Sequence, residues 1–219
     1  MISVIIPTLN SERLLPRCFD SLIQAAVRGV VREVIVADGG STDSTLTIAD
    51  AAGAHIALGG RNRSAQLVAG MAMARSDWLL FLHPETALEP GWEAEAESFV
   101  HQARPGRPCA AVFRYGREEF GGEPRRAEAR AALRSALFAL PYGDQGLLIP
   151  RRLYQKIGGY RVLPKLEDAD IVRRIGRRRL VGLRARAINP GKPHRGPIRG
   201  AAMALLHTLR IPSGVLARL

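Results

Sequence analysis

The sequence predicts a single α/β domain with a mostly parallel central sheet flanked by helices. Three observations lead there. Short β-branched or apolar runs recur at residues 2–6, 34–37 and 78–82. Segments with apolar residues spaced by three and four alternate with those runs. Polar loops follow each run. Strand, helix, strand, helix in that order implies parallel pairing through right-handed crossovers. At 219 residues and 47% apolar content the chain can fill one such core.

Taken in order, Ile2-Ser3-Val4-Ile5-Ile6 is a buried strand, ended by Pro7. Leu14, Leu15, Cys18, Phe19, Leu22 and Ile23 then predict a helix, with Asn10 or Ser11 as its N-cap. A second strand at 34–37 runs into the loop Asp38-Gly39-Gly40-Ser41-Thr42-Asp43, followed by a helix over 44–52. A short strand is expected at 55–58, a loop at 59–63 and an Ala/Met-rich helix at 64–74. Trp78-Leu79-Leu80-Phe81-Leu82 carries the strongest strand signal and ends at His83-Pro84-Glu85. A helix at 91–103 presents Trp92, Ala96, Phe99 and Val100 on one face. A strand at 110–115, a helix at 125–140, a turn at 141–146 and a strand at 147–149 follow. Then come a short helix at 151–157 stopped by Gly158-Gly159-Tyr160, a helix at 167–178 with Ile171, Val172 and Ile175 inward, and an apolar helix near 200–209.

Composition narrows the function classes. Cys18 and Cys109 lie too far apart to suggest a disulfide framework or a four-thiolate zinc site. No run reaches the roughly 18 apolar residues of a spanning helix, and the opening residues lack a basic leader. The expectation is a cytoplasmic protein, soluble or peripheral at the inner face of the membrane. The net charge of +12 is uneven: residues 1–150 hold 15 Lys+Arg against 17 Asp+Glu, whereas residues 151–219 hold 17 against 3. Such asymmetry fits an anionic partner at the C-terminal third, or a basic surface with no partner at all.

Ligands of open parallel sheets sit outside the carboxyl ends of the strands. The loops on that edge carry Asn10 and Glu12, Asp38 and Asp43, Arg61 and Arg63, and His83 and Glu85. Polar groups from four separate segments therefore converge on one edge, which defines a site before any family is considered.

Four motifs then carry a resemblance: Val4-Ile5-Ile6-Pro7-Thr8-Leu9-Asn10, Ala37-Asp38-Gly39-Gly40-Ser41-Thr42-Asp43, Phe81-Leu82-His83-Pro84-Glu85, and Glu167-Asp168-Ala169-Asp170. In order and spacing they resemble family 2 glycosyltransferases of the GT-A fold over about residues 1–180, and Gly143-Asp144-Gln145 resembles a small bacterial branch. The resemblance implies transfer of a sugar from a nucleoside-diphosphate sugar, most readily a UDP-sugar, to a hydroxyl acceptor with inversion. It divides the chain into a transferase domain at 1–180 and a basic extension at 181–219. Within the domain, 1–103 is the nucleotide-binding half and 104–180 the acceptor half.

The same resemblance implies the roles. Asp38 accepts a base N–H, or else closes an Asx-turn. Pro7, Thr8, Asn10 and Glu12 complete the base and ribose pocket. Arg61 and Arg63 meet the diphosphate beside a helix N-terminus, or form a solvated basic loop. Glu85 ligates Mn²⁺ or Mg²⁺. His83, standing where the family usually has an Asp, joins it as a ligand suited to Mn²⁺ or contacts the ribose. Asp168 is the general base, with Glu167 beside it, or the pair simply caps a helix. Asp144, Gln145 and Glu167 face the acceptor.

For the tail, homodimerisation, packing on the domain and peripheral membrane contact stay open. A nucleotidyltransferase is disfavoured because Pro7-Thr8-Leu9-Asn10-Ser11 has no glycine. The alternative class is a basic RNA- or membrane-binding module with a degenerate transferase site. Few aromatics in the basic third speak against nucleic acid.

Overall fold

The structure, a computed structural model, describes residues 1–103, 106, 108–117 and 145–190. Asp144, the helices expected at 125–140 and 200–209, and the tail expected to dimerise or meet a membrane lie outside these residues.

Among the described residues eight strands form one sheet in the order β3-β2-β1-β4-β7-β6-β8-β5. The strands are β1 (Ile2–Thr8), β2 (Val31–Asp38), β3 (His55–Leu58), β4 (Trp78–Phe81), β5 (Ala87–Leu88), β6 (Ala110–Arg117), β7 (Leu147–Pro150) and β8 (Leu180–Asn189). The half built from β1 to β4 is wholly parallel. Strand β7 runs antiparallel to both β4 and β6, and β8 runs parallel to β6. The expected α/β architecture with a mostly parallel sheet holds.

The sheet is covered on both faces, which is why its central strands read as continuous apolar runs rather than alternating ones. Val4, Ile6, Val36, Leu80 and Leu82 point to one side, where Trp92 and Ala96 of α5 (Trp92–Gln102) pack. Ile5, Ile35, Leu79, Phe81 and Ile149 point to the other. That side is covered by α4 (Arg63–Met73), α6 (Arg151–Lys156) and α7 (Glu167–Ile175), the last through Ile171, Val172 and Ile175. At Gly70 the helix α4 lies so close that a Cβ would sit 2.6 Å from Ile5 Cγ2.

Several local expectations change. Strand β1 continues through Pro7, which pairs with Ala37, and Thr8, which pairs with Asp38. Pairing with β4 reaches only Ile5, so the proline sits where the strand keeps a single neighbour. The single helix expected after Asn10 is two short ones, α1 (Leu15–Asp20) and α2 (Ile23–Val27). Neither Asn10 nor Ser11 caps it with a side chain: α1 begins after Leu14 without a side-chain cap. Asn10 instead adopts a left-handed conformation and its side chain bonds a neighbouring loop. The helix α3 (Thr45–Ala51) follows the Asp38–Asp43 loop, as expected.

Strands β5 and β8 were not anticipated. Leu183, Ala185 and Ala187 alternate with Arg184 and Arg186 and belong to the core cluster, but the arginines hide the period in a stretch read as a basic extension. Strand β8 brings residues 180–189 into the sheet, so the stretch from 181 to 189, expected as part of a basic extension, pairs with β6.

Candidate active site

Two clusters occupy the carboxyl edge of the parallel half. The first is a clasp between the loop after β1 and the loop after β2. Asp38 ends β2 fully buried. Its Oδ1 accepts from Thr8 Oγ1 at 2.9 Å and from Ser41 Oγ, and its Oδ2 accepts from the amides of Gly40 at 2.8 Å and Ser41 at 2.7 Å. A carboxylate offers about four acceptor positions, and the protein fills them. Burial by itself would raise the Asp38 pKa. The donors from Ser41, Gly40 and Thr8 outweigh it and hold the carboxyl below its ordinary value.

Asn10 and Glu12 join the same clasp. The Asn10 amide N–H donates to Ser41 Oγ at 2.8 Å, and Asn10 Oδ1 accepts from the Thr42 amide at 2.9 Å. Glu12 Oε2 accepts from the Ser44 amide at 3.1 Å, while the Glu12 amide donates to Asp43 Oδ2. Asp43 Oδ1 accepts from the Thr45 amide at 3.0 Å and from the Thr45 hydroxyl. Side chains of Glu12 and Asp43 thus satisfy the amides of Ser44 and Thr45, where α3 begins. Pro7 is buried in β1 beneath them.

The second cluster centres on Asp168, in the first turn of α7. Tyr160 Oη donates to Asp168 Oδ1 at 2.9 Å. Asp168 Oδ2 lies 3.6 Å from His83 Nε2, and His83 Nδ1 lies 4.0 Å from Glu85 Oε1. His83 is 8% exposed. It follows Leu82, whose amide donates to the Ile5 carbonyl, so the loop leaves the sheet from a fixed point. The thiol of buried Cys18 lies 3.7 Å from the His83 carbonyl, to which it donates from below; burial, aided by Glu85, pushes that thiol up to about 12, so it stays protonated.

Burial would raise the Asp168 pKa, but nearby His83, Arg63 and the Tyr160 hydroxyl more than offset it, and the carboxyl is held below its ordinary value. Its neighbour Glu167 goes the other way: burial first, then the charge of Asp168, raise it. Two adjacent carboxyls with opposed environments are an arrangement suited to acid–base work. Arg63 Nη1 meets Glu167 Oε1 at 3.5 Å, so the structure couples one expected diphosphate ligand to one expected acceptor residue. Arg61 is exposed on the loop ahead of α4, whose N-cap is Asn62.

Gln145 donates its side-chain amide to the Phe113 carbonyl at 3.0 Å, and the next residue, Gly146, lines the same pocket as His83, Tyr160 and Asp168. Tyr160 was legible only as part of the Gly158-Gly159-Tyr160 helix stop. Its bond to Asp168 depends on a turn of two left-handed glycines, Gly158 and Gly159, that no residue spacing reveals.

The doubly covered α/β sheet gathers acidic and basic groups at its carboxyl edge, the edge at which ligands of open parallel sheets bind. Residues 3–181 match glycosyl transferase family 2, and the chain belongs to that family. It is 35% identical over 115 residues to the PGL/p-HBAD biosynthesis glycosyltransferase of Mycobacterium tuberculosis (strain ATCC 25618 / H37Rv), covering 48% of this chain and 43% of that protein. The same figures hold for its counterpart in Mycobacterium bovis. The chain thus spans less than half the length of these relatives.

Among solved structures, it resembles glucosyl-3-phosphoglycerate synthase from M. tuberculosis in complex with Mn²⁺, UDP-glucose and phosphoglyceric acid. The TM-score is 0.65 at 23% identity, covering 97% of this chain and 80% of that one. It also resembles S. aureus TarS in complex with UDP-GlcNAc, with a TM-score of 0.67 at 19% identity, covering 88% of this chain and 60% of that one. Likeness at such identity establishes the shared fold.

Among the described residues no helix is long and apolar enough to cross a membrane.

Proposed function

We propose that this chain transfers a sugar from a nucleoside-diphosphate sugar, of which a UDP-sugar is the favoured class, to a hydroxyl acceptor with inversion. One observation carries the reading: an ionised carboxylate, Asp168, at the carboxyl edge of the sheet and within contact of His83, beside the loops that the family uses for the nucleotide.

Asp168 is the general base. Its charged form is favoured by the first turn of α7 and by the surrounding His83, Arg63 and Tyr160. It takes the proton of the acceptor hydroxyl as that oxygen bonds to the anomeric carbon. The bond from that carbon to the diphosphate breaks, and the nucleoside diphosphate leaves. Thr8, Asn10, Glu12 and Asp38 shape the base and ribose pocket. Either the Thr8 or the Ser41 hydroxyl can rotate away from Asp38 and free an acceptor position for a base N–H. Arg61 and Arg63 are placed for the diphosphate.

A divalent cation fits the donor set. Among the described residues no group of three or more His, Cys, Asp or Glu could hold a metal by itself. Mg²⁺ and Mn²⁺ at phosphate sites, however, commonly take one or two protein ligands and complete their shell with phosphate oxygens and water. Glu85 and His83 would hold it, and imidazole together with carboxylate suits Mn²⁺. Bound there, the cation would neutralise the charge that develops on the departing diphosphate. Neighbours crystallised with Mn²⁺ and UDP-glucose support this assignment. The binding-module alternative is not favoured, because the residues it treats as degenerate assemble around one carboxylate.

The test pairs binding with turnover. Melting of the protein is followed with UDP, GDP and dTDP, with and without Mn²⁺. A ligand at about 100 times its Kd stabilises by roughly 2.7 kcal/mol. Release of UDP from UDP-glucose and UDP-GlcNAc is measured alongside. D168N should keep the nucleotide-induced shift and lose about 100-fold or more in rate. Full activity in D168N would exclude Asp168 as the base, and a folded protein that responds to no nucleotide would exclude the transferase reading.

A further inference from the structure

Two side chains contact the Asp168 carboxylate, His83 Nε2 at 3.6 Å from Oδ2 and Tyr160 Oη at 2.9 Å from Oδ1, and Tyr160, the nearer, makes its bond from a rigid seat. The turn after α6 brings it there. Gly158 and Gly159 have φ of 79° and 58°, and a Cβ on Gly159 would lie 2.7 Å from Tyr154 Cε1. The Tyr160 amide donates to Tyr154 Oη at 3.0 Å. The Tyr160 ring meets Phe81 edge-on at 5.0 Å, while Tyr154 stacks on the same Phe81 at 5.4 Å. Phe81 is the last residue of β4, two positions before His83. One aromatic side chain thus ties the strand that presents His83 to the helix that presents Asp168.

We propose that Tyr160 is a positioning residue for the base: by holding Asp168 Oδ1 it reserves Oδ2, the oxygen that faces His83, for the acceptor proton. The inference rests on the transferase reading above. A carboxylate in the first turn of a helix can rotate about its χ angles, and either oxygen could then turn toward the reacting centre. The Tyr160 hydroxyl removes that freedom. It is buried, with Tyr160 only 6% exposed, and burial beside Asp168 raises its pKa well above the ordinary value, so it remains an O–H donor throughout a working pH range. In the transfer step the acceptor O–H proton passes to Oδ2 as the acceptor oxygen bonds to the anomeric carbon and the bond to the diphosphate breaks. Oδ1 stays bonded to Tyr160 from start to finish. Correct geometry at the reacting atoms is worth large factors in rate, whereas it does little for donor binding.

The decisive variant is Tyr160→Phe, which keeps the ring against Phe81 and Tyr154 and deletes only the hydroxyl. It is assayed for UDP release from UDP-glucose and UDP-GlcNAc with Mn²⁺, for UDP binding, and for melting temperature. Asp168→Asn and the double variant Y160F/D168N are measured with it. The expected result is a fall in kcat of roughly 10- to 100-fold in Y160F, with donor KM and UDP affinity held within about two-fold. The double variant should be no slower than D168N, because the hydroxyl acts only through the carboxylate. A residue that merely supported the fold would lower the melting temperature and weaken UDP binding instead.

Wild-type kcat in Y160F overturns the assignment of Tyr160, as does an equal further loss in the D168N background. If the folded wild type responds to none of UDP, GDP and dTDP, the transferase reading fails first and this one falls with it; if it answers to GDP or dTDP, the same variants are assayed with that nucleotide's sugar donors. An active wild type with an unimpaired Y160F defeats the positioning role alone.

Discussion

Removal of the Asp38 carboxylate should destabilise the β1–β2 side of the sheet far more than a surface change would. Asp38→Ala leaves four donors without their acceptor: two hydroxyls, of Thr8 and Ser41, and two backbone amides, of Gly40 and Ser41. The hydroxyls can turn to other partners. The amides are fixed by the loop, and a hydrogen bond to a charged group is worth about 1.5–3 kcal/mol. Counting the two amides alone gives a loss of about 3–6 kcal/mol, a large share of the ~5–15 kcal/mol that holds a domain together.

Asp38→Asn should cost less, about 1–2 kcal/mol. Its carbonyl can face both amides while its NH₂ donates to the two hydroxyls. The assay is urea unfolding with thermal melting, where about 3–6 kcal/mol corresponds to a fall of about 6–24 °C for a chain of this size. The pH dependence adds an independent check. The folded-state pKa of Asp38 lies below the ordinary 3.8, so its contribution is complete above that range and is lost as pH falls through the folded value. The gap between wild type and D38N should therefore narrow toward acid. A D38A protein melting within about 2 °C of wild type, or a gap that widens on acidification, would refute the clasp as a source of stability.

Two further predictions concern the scaffold beneath the site. Glu33 on β2 accepts from Ser3 Oγ at 2.6 Å and from the Arg75 amide at 2.7 Å. Burial would raise its pKa, but those donors and the nearby Arg75 and His55 hold it below its ordinary value. Glu33→Gln should cost about 1–3 kcal/mol near neutral pH, and in urea titrations the difference should shrink as pH drops below 4.5, the ordinary value. Gly70→Ala would gain about 1 kcal/mol of helix propensity but must displace Ile5 Cγ2 at 2.6 Å and Ala37 Cβ at 3.0 Å. Overpacking of about 1–3 kcal/mol should win, giving a less stable protein by melting, and a more stable one would show that α4 can lift from the sheet at little cost.

The sequence by itself determined the α/β class, the order of the elements from β1 to β4 and the sheet edge that gathers the polar loops. Those features are local: apolar runs buried on both sheet faces need no partner identified to be recognised, as at Ile2–Ile6 and Trp78–Phe81. It also placed Asp168 in the first turn of a helix and His83 and Glu85 just past a strand.

Tertiary structure decided what each polar group does. Asn10 and Glu12 look like cap or ligand residues in the chain, yet they bond residues 31 and 32 positions away. Gln145 sits in a motif with acceptor character, yet its amide is held by Phe113, 32 residues distant. Strand β8 is weak by composition and exists because Ala187 and Leu183 find the core through pairing with β6. Tyr160 reaches Asp168 only because two glycines with positive φ turn the chain and Phe81 receives the ring. Hydrophobic periodicity is written residue by residue, whereas the partner of a hydrogen bond is set by which loops the sheet brings side by side.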